Sequence, residues 1–237
     1  MRLDGRALAA SLYAEQKIIV DKMYARTLIH PRVCVFLVGD NPSSLSFIKQ
    51  KRLAAEKIGA VLELHQYKDI SYNDFQNAIL HSNNDPDIHG IIIQRPLPKE
   101  KQSLTALLET IAIDKDIDGF LFNSPYEVPV AEGVLEIIKE ISRTHHAANV
   151  REFIKNKTIV ILGRGITAGA PIARMVTKYG VTPAVIHSKT KHPERIIKSA
   201  DILISCVGRK HTVANESIKK GSILIGVGLC RNEDGTY

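Results

Sequence analysis

The chain has 237 residues, 44% hydrophobic and 24% charged, which is enough apolar material for one large core or two modest ones and excludes a disordered chain. Its 32 Lys and Arg against 25 Asp and Glu give a net charge of +7, suited to an anionic partner or simply to a basic surface. The basic residues are dispersed and not interleaved with aromatics, which argues against nucleic acid as a partner.

The opening segment MRLDGRALAASLYAEQ carries acid and arginine where a signal peptide needs an uninterrupted apolar run. No later stretch approaches the roughly 18 apolar residues of a membrane span, so a cytoplasmic protein without a membrane partner is expected. Helical periodicity over residues 5–25 leads to a strand at 32–38 and the turn GDNPSS, where Asp40, Ser43 and Ser44 are cap candidates for a helix over 44–57 stopped by Gly59. A strand at 61–67, a helix near 72–82 and a strand at 90–94 follow, then the turn RPLP, a helix near 103–111 and the segment DKDIDGF. A helix over 133–145 ends in the polar stretch HAANVREFIKNK, which is read as the domain boundary: 1–145 and 146–237.

Beyond that boundary come a strand at 158–162, a Gly-rich turn, a helix at 170–179, a strand at 182–187, a helix at 193–199 and strands at 201–206 and 222–227. This alternation predicts an α/β protein with parallel sheets, the second domain containing a βαβαβ dinucleotide-binding half. Cys34, Cys206 and Cys230 lie far apart in apolar segments without metal spacing, and read as reduced core thiols with no bound metal.

Gly163, Gly165 and Gly169 follow a predicted strand and open a predicted helix, where backbone amides can face a pyrophosphate. The bland alternative is a turn whose glycines only allow tight packing. An NAD site usually offers a carboxylate about 20 residues further on, at the end of the second strand. Here that place reads His187, Ser188, Lys189, Thr190, and Arg164 stands in the turn, so NADP is expected over NAD, which stays possible.

The segments VGDNPSSLSFIKQK, GIIIQRPLP, DKDIDGF, ILGRGITAGAP and VIHSKT occur in the order and approximate spacing of the bifunctional methylenetetrahydrofolate dehydrogenase/cyclohydrolase (FolD) family, which the chain resembles over nearly its whole length. The resemblance implies a folate-binding catalytic domain joined to a Rossmann-type domain with a cleft between them, tetrahydrofolate derivatives as substrates, and a homodimer. It implies oxidation of the methylene compound at the expense of NADP, then hydrolysis of the methenyl product to 10-formyltetrahydrofolate. The family's active-site lysine matches Lys51, its strand-end glutamine Gln94 and its folate-contacting aspartate Asp118; Phe47 and Arg95 join them as substrate-binding candidates. For the cofactor the resemblance points to Gly163, Arg164, Gly165, Gly169, His187, Ser188, Gly208 and Leu229. Taken singly, Lys51 also reads as an exposed helix residue, Gln94 as a strand cap and Asp118 as a turn former.

The chain departs from the family pattern at several of these places. Phe47 replaces the tyrosine four residues before the lysine and cannot hydrogen-bond to it. Arg95 stands where leucine is typical, VPVAEG replaces PCTPxG, Gly165 replaces the serine of GRS, and Gly226 the aspartate of IDVG. The PGGVGPxT motif is missing, the sequence stopping at Tyr237 where relatives continue, so a truncated or a divergent member is expected. A second expectation stays open: a catalytically impaired nucleotide-binding relative with a scaffolding or regulatory role. A shikimate dehydrogenase relative is disfavoured, because its Gly-rich turn is not matched by GRGITAGAP.

Overall fold

The computed structural model describes residues 2–209 and 212–228. The chain divides into two compact units, Met1–Tyr126 and Glu127–Tyr237.

The first unit runs α1 (Gly5–Thr27), β1 (Arg32–Val38), α2 (Pro42–Ile58), β2 (Val61–Tyr67), α3 (Tyr72–Asn84) and β3 (Gly90–Ile93). Its sheet has the order β2-β1-β3, with both pairings parallel. The period-two alternation of β1 divides its side chains between two cores. Cys34, Phe36 and Val38 join Phe75 and Ile79 of α3, whereas Val35 and Leu37 join Ile48 of α2. A strand covered on both faces has no use for polar residues, which is why VCVFLV is continuously apolar.

Asn41 caps α2, its side chain accepting from Ser43 N at 3.0 Å and Ser44 N at 3.1 Å; the expected caps Asp40, Ser43 and Ser44 do not have this role. Pro42 explains the difference, since its fixed φ and missing N–H suit the first helical position and push the cap one residue before it. Gly59 ends the helix in the left-handed region at φ 83°, as expected. The helix expected near 103–111 is a kinked 3-10 segment, Lys99–Thr110.

The second unit holds α4 (Pro129–Thr144), α5 (Val150–Ile154), β4 (Ile159–Leu162), α6 (Gly169–Lys178), β5 (Ala184–Ile186), α7 (Pro193–Ser199), β6 (Ile202–Ser205) and β7 (Ile223–Gly226). The parallel sheet has the order β5-β4-β6-β7. Ala131, Val134, Leu135, Ile138 and Ile141 of α4 share a core with Ile159 and Ile161 of β4 and Ile172, Met175 and Val176 of α6. On the other face, Val160 and Leu162 pack with Ile197 and Leu203.

The compact units divide at 126/127, whereas the boundary expected from the sequence is at 145/146. The supposed linker HAANVREFIKNK contains α5, and its Val150, Phe153 and Ile154 are buried in the core that α4 also enters.

Candidate functional site

In each unit the chain doubles back across its first strand: β2 and β3 flank β1, and β5 and β6 flank β4. A parallel sheet opens a crevice at the carboxyl ends of the strands where the winding direction reverses, and ligands of such folds bind there.

In the first unit Gln94 directly follows β3, and its backbone N–H extends the ladder by donating to Phe36 O at 2.9 Å. Its side chain is buried, and the amide nitrogen donates to Arg95 O at 2.8 Å, which turns the amide oxygen outward. Lys51, on α2, donates from Nζ to that oxygen at 3.1 Å. Asp118 Oδ1 lies 4.0 Å from the same Nζ. Gln94 and Asp118, far apart in sequence from Lys51, thus converge on its ammonium.

The placement of Asp118 depends on its surroundings. A Cβ on Gly90 would come within 2.7 Å of the Ile117 side chain, so only glycine on β3 lets Ile117, and Asp118 after it, lie this close to the sheet. Lys115 Nζ donates to Ser82 O, Asn83 O and Asp85 O at 3.0, 2.8 and 2.7 Å, closing the carboxyl end of α3 and tying the segment before Asp118 to it. Asn83 adds bonds to Thr110 O at 2.7 Å and from Ala112 N at 2.9 Å. Buried Asp116 accepts from Leu121 N at 2.9 Å and fixes the turn that follows. Sequence reasoning passed over Gly90, Asn83, Lys115 and Asp116. Lys115 sits between acids in DKDIDGF and gives no hint that its partners are carbonyls of another helix.

Burial pulls the Lys51 ammonium below the ordinary lysine value, against the opposing charge of Asp118. Burial pushes Asp118 above the ordinary carboxylate value, Lys51 and Arg95 working against the shift and Asp116 reinforcing it. An amine made easier to deprotonate, held by an amide and close to a carboxylate, can exchange protons with a bound reactant.

Phe47 lies one turn before Lys51 on α2 and is 49% exposed, so it is not a core residue. Arg95 lays its guanidinium over the Phe120 ring, with Cζ 3.5 Å from the ring centroid.

In the second unit Gly163 takes φ +98°, and its N–H donates to Ile186 O at 2.8 Å. A Cβ on Gly169 would meet Gly163 O at 2.0 Å, so the start of α6 presses its backbone against the end of β4. Gly228 makes an equally close approach, a Cβ there falling 2.4 Å from the Val207 carbonyl and 2.8 Å from Gly208 N. The starts and ends of these elements thus meet backbone against backbone, and glycine at 169 and 228 is what that packing requires. Arg164 and Gly165 occupy the exposed part of the turn, with no atom within 4 Å of a Cβ on Gly165. His187 follows β5 in a turn closed by Thr190, whose hydroxyl accepts from His187 N at 2.9 Å, and Ser188 is exposed. Leu229, and Cys230 beside it, lie outside the described residues.

The two constellations coincide with the two halves of one known architecture. The family sequence model for the tetrahydrofolate dehydrogenase/cyclohydrolase catalytic domain matches residues 3–118, and the one for its NAD(P)-binding domain matches residues 130–237. The chain belongs to the tetrahydrofolate dehydrogenase/cyclohydrolase family. Its similarity to Bifunctional protein FolD of Streptococcus thermophilus is 34% identity over 98% of this chain and 82% of the relative. For the chloroplastic Bifunctional protein FolD 4 of Arabidopsis thaliana it is 33%, over 98% of this chain and 65% of the relative. Among solved structures, the bifunctional FolD enzyme of Campylobacter jejuni superposes with a TM-score of 0.86 at 29% identity, covering 98% of this chain and 82% of that one. The Trypanosoma brucei FolD, solved with NADP and an inhibitor, gives 0.84 at 26% identity, covering 96% and 78%. Among the described residues no helix is long and apolar enough to cross a membrane.

Proposed function

We propose that this family member oxidises 5,10-methylenetetrahydrofolate to the 5,10-methenyl compound with NADP and hydrolyses that product to 10-formyltetrahydrofolate, the folate lying against Lys51, Gln94 and Asp118. The observation that carries this reading is the hydrogen bond from Lys51 Nζ to Gln94 Oε1 at 3.1 Å with Asp118 Oδ1 at 4.0 Å. In the oxidation these residues position the substrate, because the folate nitrogens themselves supply the electron push. The nicotinamide, when bound, provides the two-electron oxidant.

In the hydrolysis, water adds to the cationic methenyl carbon and must lose a proton, and the ring nitrogen that leaves must gain one. The neutral Lys51 amine takes the first proton and its ammonium returns one, Gln94 Oε1 holding the nitrogen in line. Asp118 carries the charge that balances the ammonium between the two transfers.

Gly163, Gly169 and Gly208 would hold the pyrophosphate against backbone. Arg164 and the turn at His187 and Ser188, which offers no carboxylate at this place, support NADP over NAD. Free thiols at Cys34 and Cys206 support a reducing, cytoplasmic setting. A homodimer is part of the same reading, carried by the resemblance to the family. The assembled group around Lys51 favours an enzyme over a silent scaffold.

The test is an assay of methenyl and formyl products with each nicotinamide cofactor. Lys51→Ala is expected to lower hydrolysis by about 10² to 10⁴ while oxidation suffers less, since only hydrolysis needs a proton carrier. Equal losses in both steps would assign Lys51 to binding or folding.

A further inference from the structure

We propose that Arg95 is a specificity-determining residue of the folate site, its Nε/Nη2 edge being the receptor for a coplanar pair of acceptor atoms on the substrate. This rests on the reading of Lys51, Gln94 and Asp118 as the folate site. Arg95 directly follows Gln94 and accepts on its own carbonyl the hydrogen bond that orients the Gln94 amide. The guanidinium is stacked on Phe120, and its Nε and Nη2 are both buried with no hydrogen-bond partner.

A guanidinium keeps its charge in a protein, and buried polar groups nearly always find partners, so an unpaired charged edge here is unusual. Asp118 and Asp116 act on this guanidinium through their charge, but Asp116 has an oxygen engaged by Leu121 N, Asp118 lies 4.0 Å from Lys51, and neither accepts a hydrogen bond from the Nε/Nη2 edge. The Nε and Nη2 hydrogens point the same way and in one plane, a geometry matched by a carboxylate or by the oxygen and nitrogen of a lactam edge. A folate offers both, the lactam on its pterin ring and the carboxylates on its glutamate. Arg95 as a whole is only half-buried, and to bind in this way its side chain has to turn the covered edge outward when a ligand arrives. Leucine, which the resemblance to the family would place here, offers no such edge.

The experiment measures equilibrium binding of 5-formyltetrahydrofolate and of its pteroate counterpart lacking glutamate to the wild type, Arg95→Leu and Arg95→Lys, with NADP affinity, thermal midpoint and turnover alongside. Arg95→Leu is expected to weaken folate binding roughly tenfold or more, for the loss of paired charge-assisted bonds. NADP affinity stays as in wild type and the thermal midpoint changes little, because the side chain is only half-buried and its Nε/Nη2 edge makes no hydrogen bond that the substitution would remove. Arg95→Lys recovers only part of the affinity, being a point charge without the planar fork. A loss that persists with the pteroate compound identifies the lactam edge as the acceptor; a loss that vanishes identifies the glutamate carboxylate. Unchanged folate affinity in Arg95→Leu, or a parallel fall in folate affinity, NADP affinity and thermal midpoint, overturns the proposal. If the wild type oxidises methylenetetrahydrofolate while Arg95→Leu binds folate normally, Arg95 alone is refuted. A wild type that binds no folate refutes Arg95 together with the site reading.

Discussion

Lys51 is pulled in opposite directions, burial favouring the free amine and Asp118 favouring the ammonium, with burial the larger effect. If the free amine is the form that accepts the proton from water, hydrolysis rises with pH as Lys51 deprotonates, along a limb centred below the ordinary 10.5. Asp118→Asn removes the charge that holds the proton on, so the midpoint of that limb moves to lower pH even as overall activity falls. A midpoint that stays or moves upward would disconnect the two residues. Phe47 is the other residue-scale test. Because it is 49% exposed, the added hydroxyl of Phe47→Tyr is not buried without a partner, and stability should stay within about 0.5 kcal/mol of wild type. The phenol one turn before Lys51 is expected to raise hydrolysis without changing NADP affinity, as measured on methenyl substrate; no gain in rate would mean that Lys51 needs no second hydrogen-bond partner from this helix. The resemblance pointed to Lys51, Gln94 and Asp118, and nothing local could, because each alone looks like an ordinary surface or turn residue. Arg95 was legible only as a departure from the pattern, since its stacking on Phe120 depends on how the chain folds after a proline turn.

At the scale of elements, β1 and β2 have the bounds expected from the sequence because turn residues set them off, Pro31 and Gly39 around β1 and Gly59 before β2. α5 was missed for the opposite reason: it is a short helix with a single apolar side, and its Val150, Phe153 and Ile154 are diluted by lysines and asparagines in the surrounding sequence. The carboxyl end of α3 was also unreadable. It has no glycine stop; Asp85, which ends it, is extended, and the ammonium of Lys115 takes up the carbonyls instead. Lys115→Met is therefore expected to cost roughly 1.5 to 3 kcal/mol, the range for hydrogen bonds to a charged group. It would appear as a lower urea midpoint, with Lys115→Arg losing less. A methionine variant as stable as wild type would show that water replaces the lysine at no cost, and that Asp118 is held by Ile117 over Gly90 alone.

Across the whole molecule, each unit encloses its own cores around its own parallel sheet, so damage confined to one should leave the other's strands protected. The Gly-rich turn offers a sharp way to apply this, because its glycines are constrained for different reasons. At Gly169 a methyl group would stand 2.0 Å from Gly163 O, and the obstacle is backbone, which cannot yield as a side-chain end can. At Gly165 no atom lies within 4 Å of the same methyl group, and φ is not positive. Gly169→Ala is thus expected to force β4 and α6 apart at a cost of about 1 to 3 kcal/mol or more. NADP binding should be lost, and hydrogen exchange should accelerate in β4 and β6 while β1 and β3 keep their protection. Gly165→Ala, by contrast, should leave stability and exchange as in wild type and alter NADP affinity by less than about tenfold, since the exposed turn has room for a methyl group. If Gly165→Ala proves as damaging to NADP binding as Gly169→Ala in a protein that remains folded, the turn works by bringing ligand against bare backbone at Gly165. The close approach of strand and helix at Gly169 would then not be what builds the site.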